Sequence, residues 1–263
     1  MKIILLSVIL FLSYVKGKVY PILIPAKNNI SSDVRLTYLM RSGWLAETAN
    51  HLLLFDYVPY DGKNFDEFIQ VEFNKAVRNK KNLFIFISHE HDDHFYPKLL
   101  EWSKKYENLE IILGWNYKSS KQGIHQLNGR EENTIKQIKV AAHPATDAGS
   151  AFLVTVDGIT IYHAGDHAQW SPGLKEEFIK ETEYIKMKVS KIDIAFVPVE
   201  NRRRYVMDGA VAATKILNPE YVLPMHSKFE DYTIFADGVH TALPSVRIHS
   251  PKTNKEVFTI FKQ

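Results

Sequence analysis

Short apolar runs rich in β-branched and aromatic residues alternate with longer amphipathic stretches over most of this chain. LTYLM (36–40), LLLFDY (52–57), LFIFIS (83–88) and IILGW (111–115) have the length and composition of strands. Between the second and third, NFDEFIQVEFNKAVRNK (64–80) repeats Phe65, Phe68, Ile69, Phe73, Ala76 and Val77 at the spacing that lines one helix face. Residues 151–166, AFLVTVDGITIYHAGD, predict a hairpin in which two apolar runs flank Asp157 and Gly158, a pair that tolerates the positive φ of a tight turn. A helix is expected over 173–189, a buried strand over IDIAFVPVE (192–200), a helix over DGAVAATKILNP (208–219) that stops before Pro219, and a short strand over YVLPMHS (221–227). No linker rich in glycine, proline or serine interrupts residues 18–263, which predicts one domain of mixed α and β layers.

The N-terminus breaks this pattern. Lys2 precedes an apolar run from Ile3 to Val15 that is short for a bilayer span, and Val15 and Gly17 form a small-residue cleavage pattern. Residues 1–17 therefore read as a signal peptide, and the expectation is an exported protein, periplasmic or secreted, with no stable membrane anchor after cleavage. The chain has no cysteine, which excludes disulfides, thiolate metal sites and a cysteine nucleophile. With 45% hydrophobic residues it can bury a large core. A formal charge of +3, which falls further once Lys2 and Lys16 leave with the leader, gives no global argument for binding large nucleic acids.

The chemistry concentrates in SHEHDDHFYP (88–97), directly after the LFIFIS strand. Strand ends at the carboxyl edge of mixed sheets are common places for sites. His89 and His91 alternate around Glu90, and Asp93 and His94 follow closely. Neutral imidazoles and carboxylates are the donors that zinc and similar divalent ions take. Three further candidates each follow a strand-like run: His143 after IKVAAH, Asp166 at the end of ITIYHAGD, and His226 after YVLPM.

On these residues the chain resembles the metallo-β-lactamase superfamily, whose HxHxDH signature is matched by His89, His91, Asp93 and His94, with His143, Gly165-Asp166 and the PMH histidine His226 following in order. The resemblance spans nearly all of residues 35–230 and looks closest to the branch that includes ascorbate-6-phosphate lactonase. It implies a four-layer αββα sandwich. It also implies a two-metal site, with His89, His91 and His143 on one ion, Asp93, His94 and His226 on the other, and Asp166 bridging. Zinc is the expected metal, with manganese or iron compatible with the same donors. A divalent ion lowers the pKa of its water to about 7, so the implied activity is hydrolysis of a small-molecule ester, lactone or amide by a metal-held hydroxide. Asp93 is the candidate proton relay. A phosphodiesterase of the same fold and a metal-dependent binding protein without turnover are the alternatives.

Other residues carry weaker signals. Glu90 and Asp92 occupy the variable motif positions and are expected to face away. Asp147, four residues after His143, and His167, beside Asp166, are candidates to support ligands from behind, or else an ordinary turn aspartate and loop histidine. His163 is expected to pack within its strand, and His51, His125, His240 and His249 to be surface or structural. In NRRRYVMDG (201–209) and just past His226, Arg203 and Lys228 are candidates for holding an anionic group of the substrate, although three adjacent arginines cannot all point one way.

Overall fold

The computed structural model describes residues 33–60, 63–118, 121–227 and 232–261, together with the backbone of two short antiparallel strands, β1 (Phe11–Val15) and β2 (Lys18–Ile22). Most of the segment read as a leader, and Lys228, lie outside the described residues.

The apolar runs assemble into two seven-stranded sheets that face each other. One sheet carries β3 (Val34–Tyr38), β4 (Trp44–Glu47), β5 (His51–Phe55), β6 (Asn82–Ile87), β7 (Leu109–Leu113) and β8 (Ile124–Gln126) in that spatial order. The second is β9 (Glu132–Ile135), β10 (Ile138–Pro144), β11 (Ser150–Val156), β12 (Ile159–His163), β13 (Ile194–Val199), β14 (Tyr221–His226) and β15 (Arg247–Ile248), again in chain order. A final strand, β16 (Val257–Ile260), returns to the first sheet beside β3. Each sheet is antiparallel over its earlier strands and turns parallel midway, from β5 in the first and from β12 in the second.

Aromatic residues fill the space between the sheets, with Phe86 and Phe152 rings 5.5 Å apart and Trp44 and Phe196 rings 4.9 Å apart. Helices cover the outer faces. Ile69, Phe73 and Ala76 of α1 (Lys63–Arg78) pack on the first sheet with Leu52, Leu54, Leu83 and Ile85. On the second sheet α2 (Lys175–Met187) and α3 (Arg204–Leu217) bury Ile185, Ala210 and Leu217, and α4 (Thr233–His240) packs against α3. The result is the α/β/β/α layering expected, and the DG hairpin forms with positive φ at both Asp157 (47°) and Gly158 (74°).

Several elements depart from the sequence reading. The expected helix at 208 begins at Arg204, so the arginine run leads directly into α3. WLAE is too short to show a period, yet β3 and β5 pair with it on both sides and make it a strand. The ending α4, β15 and β16 had no strong pattern, and long-range pairing with β14 and β3 supplies their order.

At one edge of the sandwich the parallel strands end together: Asp56 follows β5, Ser88 and His89 follow β6, Asp166 follows β12, and His226 ends β14. Ser88 is where the sheets are stitched, its carbonyl accepting from Ser150 N at 3.0 Å. Two left-handed glycines permit that approach. A Cβ on Gly149 (φ 64°) would lie 2.1 Å from Ser88 O, and one on Gly165 (φ 52°) would lie 2.6 Å from Ser88 Cβ.

Candidate metal centre

Asp166 is the hub of the site. Its Oδ1 lies 3.1 Å from His94 Nε2 and 3.5 Å from His226 Nε2, and its Oδ2 lies 3.5 Å from His89 Nε2. Three sets of potential donor atoms cluster tightly enough to share a cation: His89, His94 and Asp166; Asp93, His94 and His226; and His91, Asp147 and Asp166. A cation suits this set. His89 Nε2, His94 Nε2 and Asp166 Oδ1 are buried and make no hydrogen bond, and such atoms are costly unless they are ligated.

The residues behind the histidines fix which nitrogen faces inward. Asp56 Oδ2 is 2.7 Å from His94 Nδ1, which makes Nδ1 a donor to Asp56 and turns Nε2 toward Asp166. Asp56 is itself held by Ser88 N at 2.7 Å and Ser88 Oγ at 2.6 Å. His226 Nδ1 sits 2.8 Å from Glu200 Oε1, so Nε2 again faces Asp166. His226 adopts a left-handed φ of 76°, a conformation that costs a non-glycine residue roughly 1 kcal/mol or more and is concentrated at functional sites.

Charge in this pocket is strongly polarised. Burial works against the charged form of His94, but the carboxylates of Asp56 and Asp166 outweigh it and push the imidazole up to about 10. His89, desolvated and beside His94, is pushed down to about 4. Burial would raise Asp56, yet the imidazoles of His163 and His94 hold it down at about 2. Asp166 is likewise held below the usual carboxylate range, where burial is outweighed by His94 and His226.

The site opens into a cavity of about 270 Å³ lined by His91, Asp93, Asp147, Asp166, Trp170, Arg203 and His226. Asp93, a third exposed, contacts Arg41 Nη1 at 3.4 Å. Of the three arginines only Arg203 lines the cavity, with its guanidinium 5.7 Å from the Trp170 ring and Nε 3.0 Å from Glu200 Oε2. Arg204 is spread over its own helix against Asp208.

His143 does not join its expected partners. Strand alternation decides this: Ala142 pairs with Phe152 facing the inter-sheet core, so His143 takes the opposite face, under α2. Its Nδ1 is 3.3 Å from Glu181 Oε1 and its ring meets Tyr184 at 5.8 Å. Asp147, expected to act from behind, instead stands in the cavity 3.8 Å from His91 Nδ1. His167 is also turned under α2, with Nε2 3.0 Å from Thr182 Oγ1. His163 packs as expected, its Nε2 on Ser42 O at 3.0 Å and its ring stacked on Phe55. Glu90 and Asp92 are exposed, while His51 is buried against Asp157. Sequence reasoning missed Asp56, Glu200 and Arg41. The first two are single acids at the carboxyl ends of strands, a signal present in LLLFD and FVPVE.

Residues 35–226 match the family described as the beta-lactamase superfamily domain, and the chain belongs to that superfamily. Within it, the chain is similar to the proteins named UPF0173 metal-dependent hydrolase. It is 25% identical over 219 residues to the Pyrococcus furiosus member (73% of this chain, 84% of that one) and 28% identical over 193 residues to that of Lysinibacillus sphaericus (65% and 80%). Among solved structures, Igni18, a metallo hydrolase from Ignicoccus hospitalis, superposes with a TM-score of 0.63 at 19% identity, covering 88% of this chain and all of that one. The metallo-beta-lactamase fold protein YhfI from Bacillus subtilis superposes with a TM-score of 0.58 at 14% identity (87% and 99%).

Proposed function

We propose that this chain is a dinuclear hydrolase acting on a small, negatively charged ester, lactone or amide. The observation that carries this reading is the convergence of His94 and His226 on the unpartnered Asp166 Oδ1, with His89 beside the other Asp166 oxygen and Asp93 grouped with His94 and His226, in a cavity that Arg203 also lines. Asp93, His94 and His226 would hold one divalent cation. The resemblance to the superfamily would put His89 and His91 on a second, each of them within donor reach of Asp166. Such cations supply Lewis acidity toward a scissile carbonyl and make water acidic enough to attack near neutral pH.

The remaining work falls to the chain. Asp56 and Glu200 hold the His94 and His226 rings with Nε2 inward. Asp93, which lines the cavity, would take the proton released by the attacking water and pass it to the leaving group. Arg203 offers a fixed planar donor to a substrate carboxylate or phosphate, and Trp170 walls the cavity, its Nε1 donating to Asp166 O at 2.8 Å. Zinc is the proposed metal. A lactone is the favoured ester class, on the resemblance to the lactonase-like branch. The same arginine would also suit a phosphodiester, which makes that the second reading. Export is proposed on the pattern of residues 1–17, and fusion of that segment to a secretion reporter tests it.

The deciding experiment measures bound metal and then turnover of the loaded protein on parallel ester, lactone, lactam and phosphodiester panels. Turnover of a charged lactone or ester that disappears on chelation is expected. A fully loaded protein that turns over no member of any panel would be a binding protein instead.

A further inference from the structure

We infer that Asp147, and not His143, completes the donor set around His91, so that one of the two cations is held with an additional carboxylate in place of an imidazole. This rests on the metal-dependent reading above and concerns which side chains build the site.

Two independent pieces of local structure lead to it. The first removes His143. Its position on β10 places it on the outer face of the second sheet, where Glu181 and Tyr184 of α2 receive it and Arg130 closes over Glu181 with Nη2 2.6 Å from Oε2. With Nδ1 engaged by Glu181, His143 belongs to none of the donor groups that form around Asp166.

The second piece positions Asp147. After Pro144 the chain leaves β10 in a short loop closed by Ala145 N donating to Gly149 O at 3.1 Å. Thr146 then pins this loop to the segment after Asp166: its Oγ1 donates to Ala168 O at 2.5 Å and accepts from Ala168 N at 2.9 Å. The next residue is thereby held beside Asp166, with Asp147 Oδ2 3.8 Å from His91 Nδ1. Asp147, His91 and Asp166 bring donor atoms within a single cation's reach, and the orphaned, buried Asp166 Oδ1 and His89 Nε2 adjoin them.

The exchange has a chemical consequence. A carboxylate adds a negative charge and a hard oxygen donor, which shifts preference from zinc toward manganese or iron. His143 is released for a structural role beneath α2.

Metal content per chain, measured after equilibration with zinc or manganese and gel filtration, tests the assignment. Asp147→Ala, on an exposed loop, is expected to lose about one ion per chain relative to the unaltered protein, while His143→Gln keeps its complement. Asp147→His is expected to retain the ion and to raise the zinc-over-manganese preference about tenfold. An Asp147→Ala protein that keeps its full complement overturns the inference, and so does a His143→Gln protein, folded by circular dichroism, that loses as much metal as Asp147→Ala. If the unaltered chain takes up no metal at all, the hydrolase reading falls and this inference with it. If the chain is loaded and only the Asp147 result fails, the hydrolase reading stands.

Discussion

Asp166 faces three imidazoles while keeping one buried oxygen free of hydrogen bonds, so its charge is the one most exposed to any cation the site takes. Replacing it with asparagine keeps the shape and removes the charge. Asp166→Asn is therefore expected to weaken metal binding by roughly 100-fold or more and to abolish turnover with the fold intact, as read by metal titration and circular dichroism. Arg203 sits outside the metal donors, so its loss should separate binding from chemistry. Arg203→Ala is expected to raise KM for a charged substrate about tenfold, to leave kcat within a few-fold, and to spare a neutral analogue. A uniform fall in kcat on both substrates would place Arg203 in a structural role instead. At this scale the sequence was most readable where candidate donors are contiguous: SHEHDDH holds four of them. It was least readable at His143, because the order of motifs along a chain does not say which face of a strand a residue occupies. The alternation of Ala142 and Phe152 into the core does say it, once their pairing is known.

The elements matter because they bring strand ends close enough for those side chains to meet. Ser88 is approached from two directions by backbone that has no room for a Cβ, at Gly149 and Gly165. Gly149→Ala combines a left-handed φ of 64° with a Cβ 2.1 Å from Ser88 O, which is backbone and cannot swing away. The variant is expected to lose about 2 kcal/mol or more, seen as a lower urea midpoint, and to lower metal affinity because His89 follows Ser88 directly. An unchanged midpoint would show that the loop relaxes freely and that the stitching is dispensable. Strands and helices with a clear period, such as FIFIS and the α1 face of Ile69, Phe73 and Ala76, were legible without the structure. Trp44–Glu47 and Val257–Ile260 were not, because pairing with distant strands rather than local pattern creates them. The start of α3 was placed too late, at Asp208, although its first turn, Arg204–Met207, already buries Val206 and Met207 behind the arginine run.

On the scale of the whole molecule the two sheets must also be held together at the end far from the candidate metal site, and Asp157 does this from the hairpin turn between β11 and β12. Its carboxylate reaches across to the first sheet, accepting from Thr48 Oγ1 at 2.6 Å, Asn50 N at 2.9 Å and Asn50 Nδ2 at 2.9 Å, with His51 Nδ1 3.0 Å away. Burial disfavours the charged form, but these hydrogen bonds win and hold the group at about 2, below its ordinary value of 3.8. A carboxylate with a depressed folded-state pKa binds its proton more readily in the unfolded chain. Its contribution is therefore fully present above about pH 4 and is lost as the pH falls toward about 2. The contribution is on the order of 1 to 2 kcal/mol. Asp157→Asn should lower stability by about that amount at pH 7, and the gap between variant and unaltered protein should close as the pH falls from about 4 to about 2. Urea unfolding of the metal-free protein at a series of pH values measures this without interference from ligand protonation at the other edge. A gap that stays constant across that range would mean the carboxylate charge contributes nothing and the turn alone joins the sheets. A closing gap assigns the junction to one ion-dipole cluster, built by a residue whose sequence signature was only that of a tight turn.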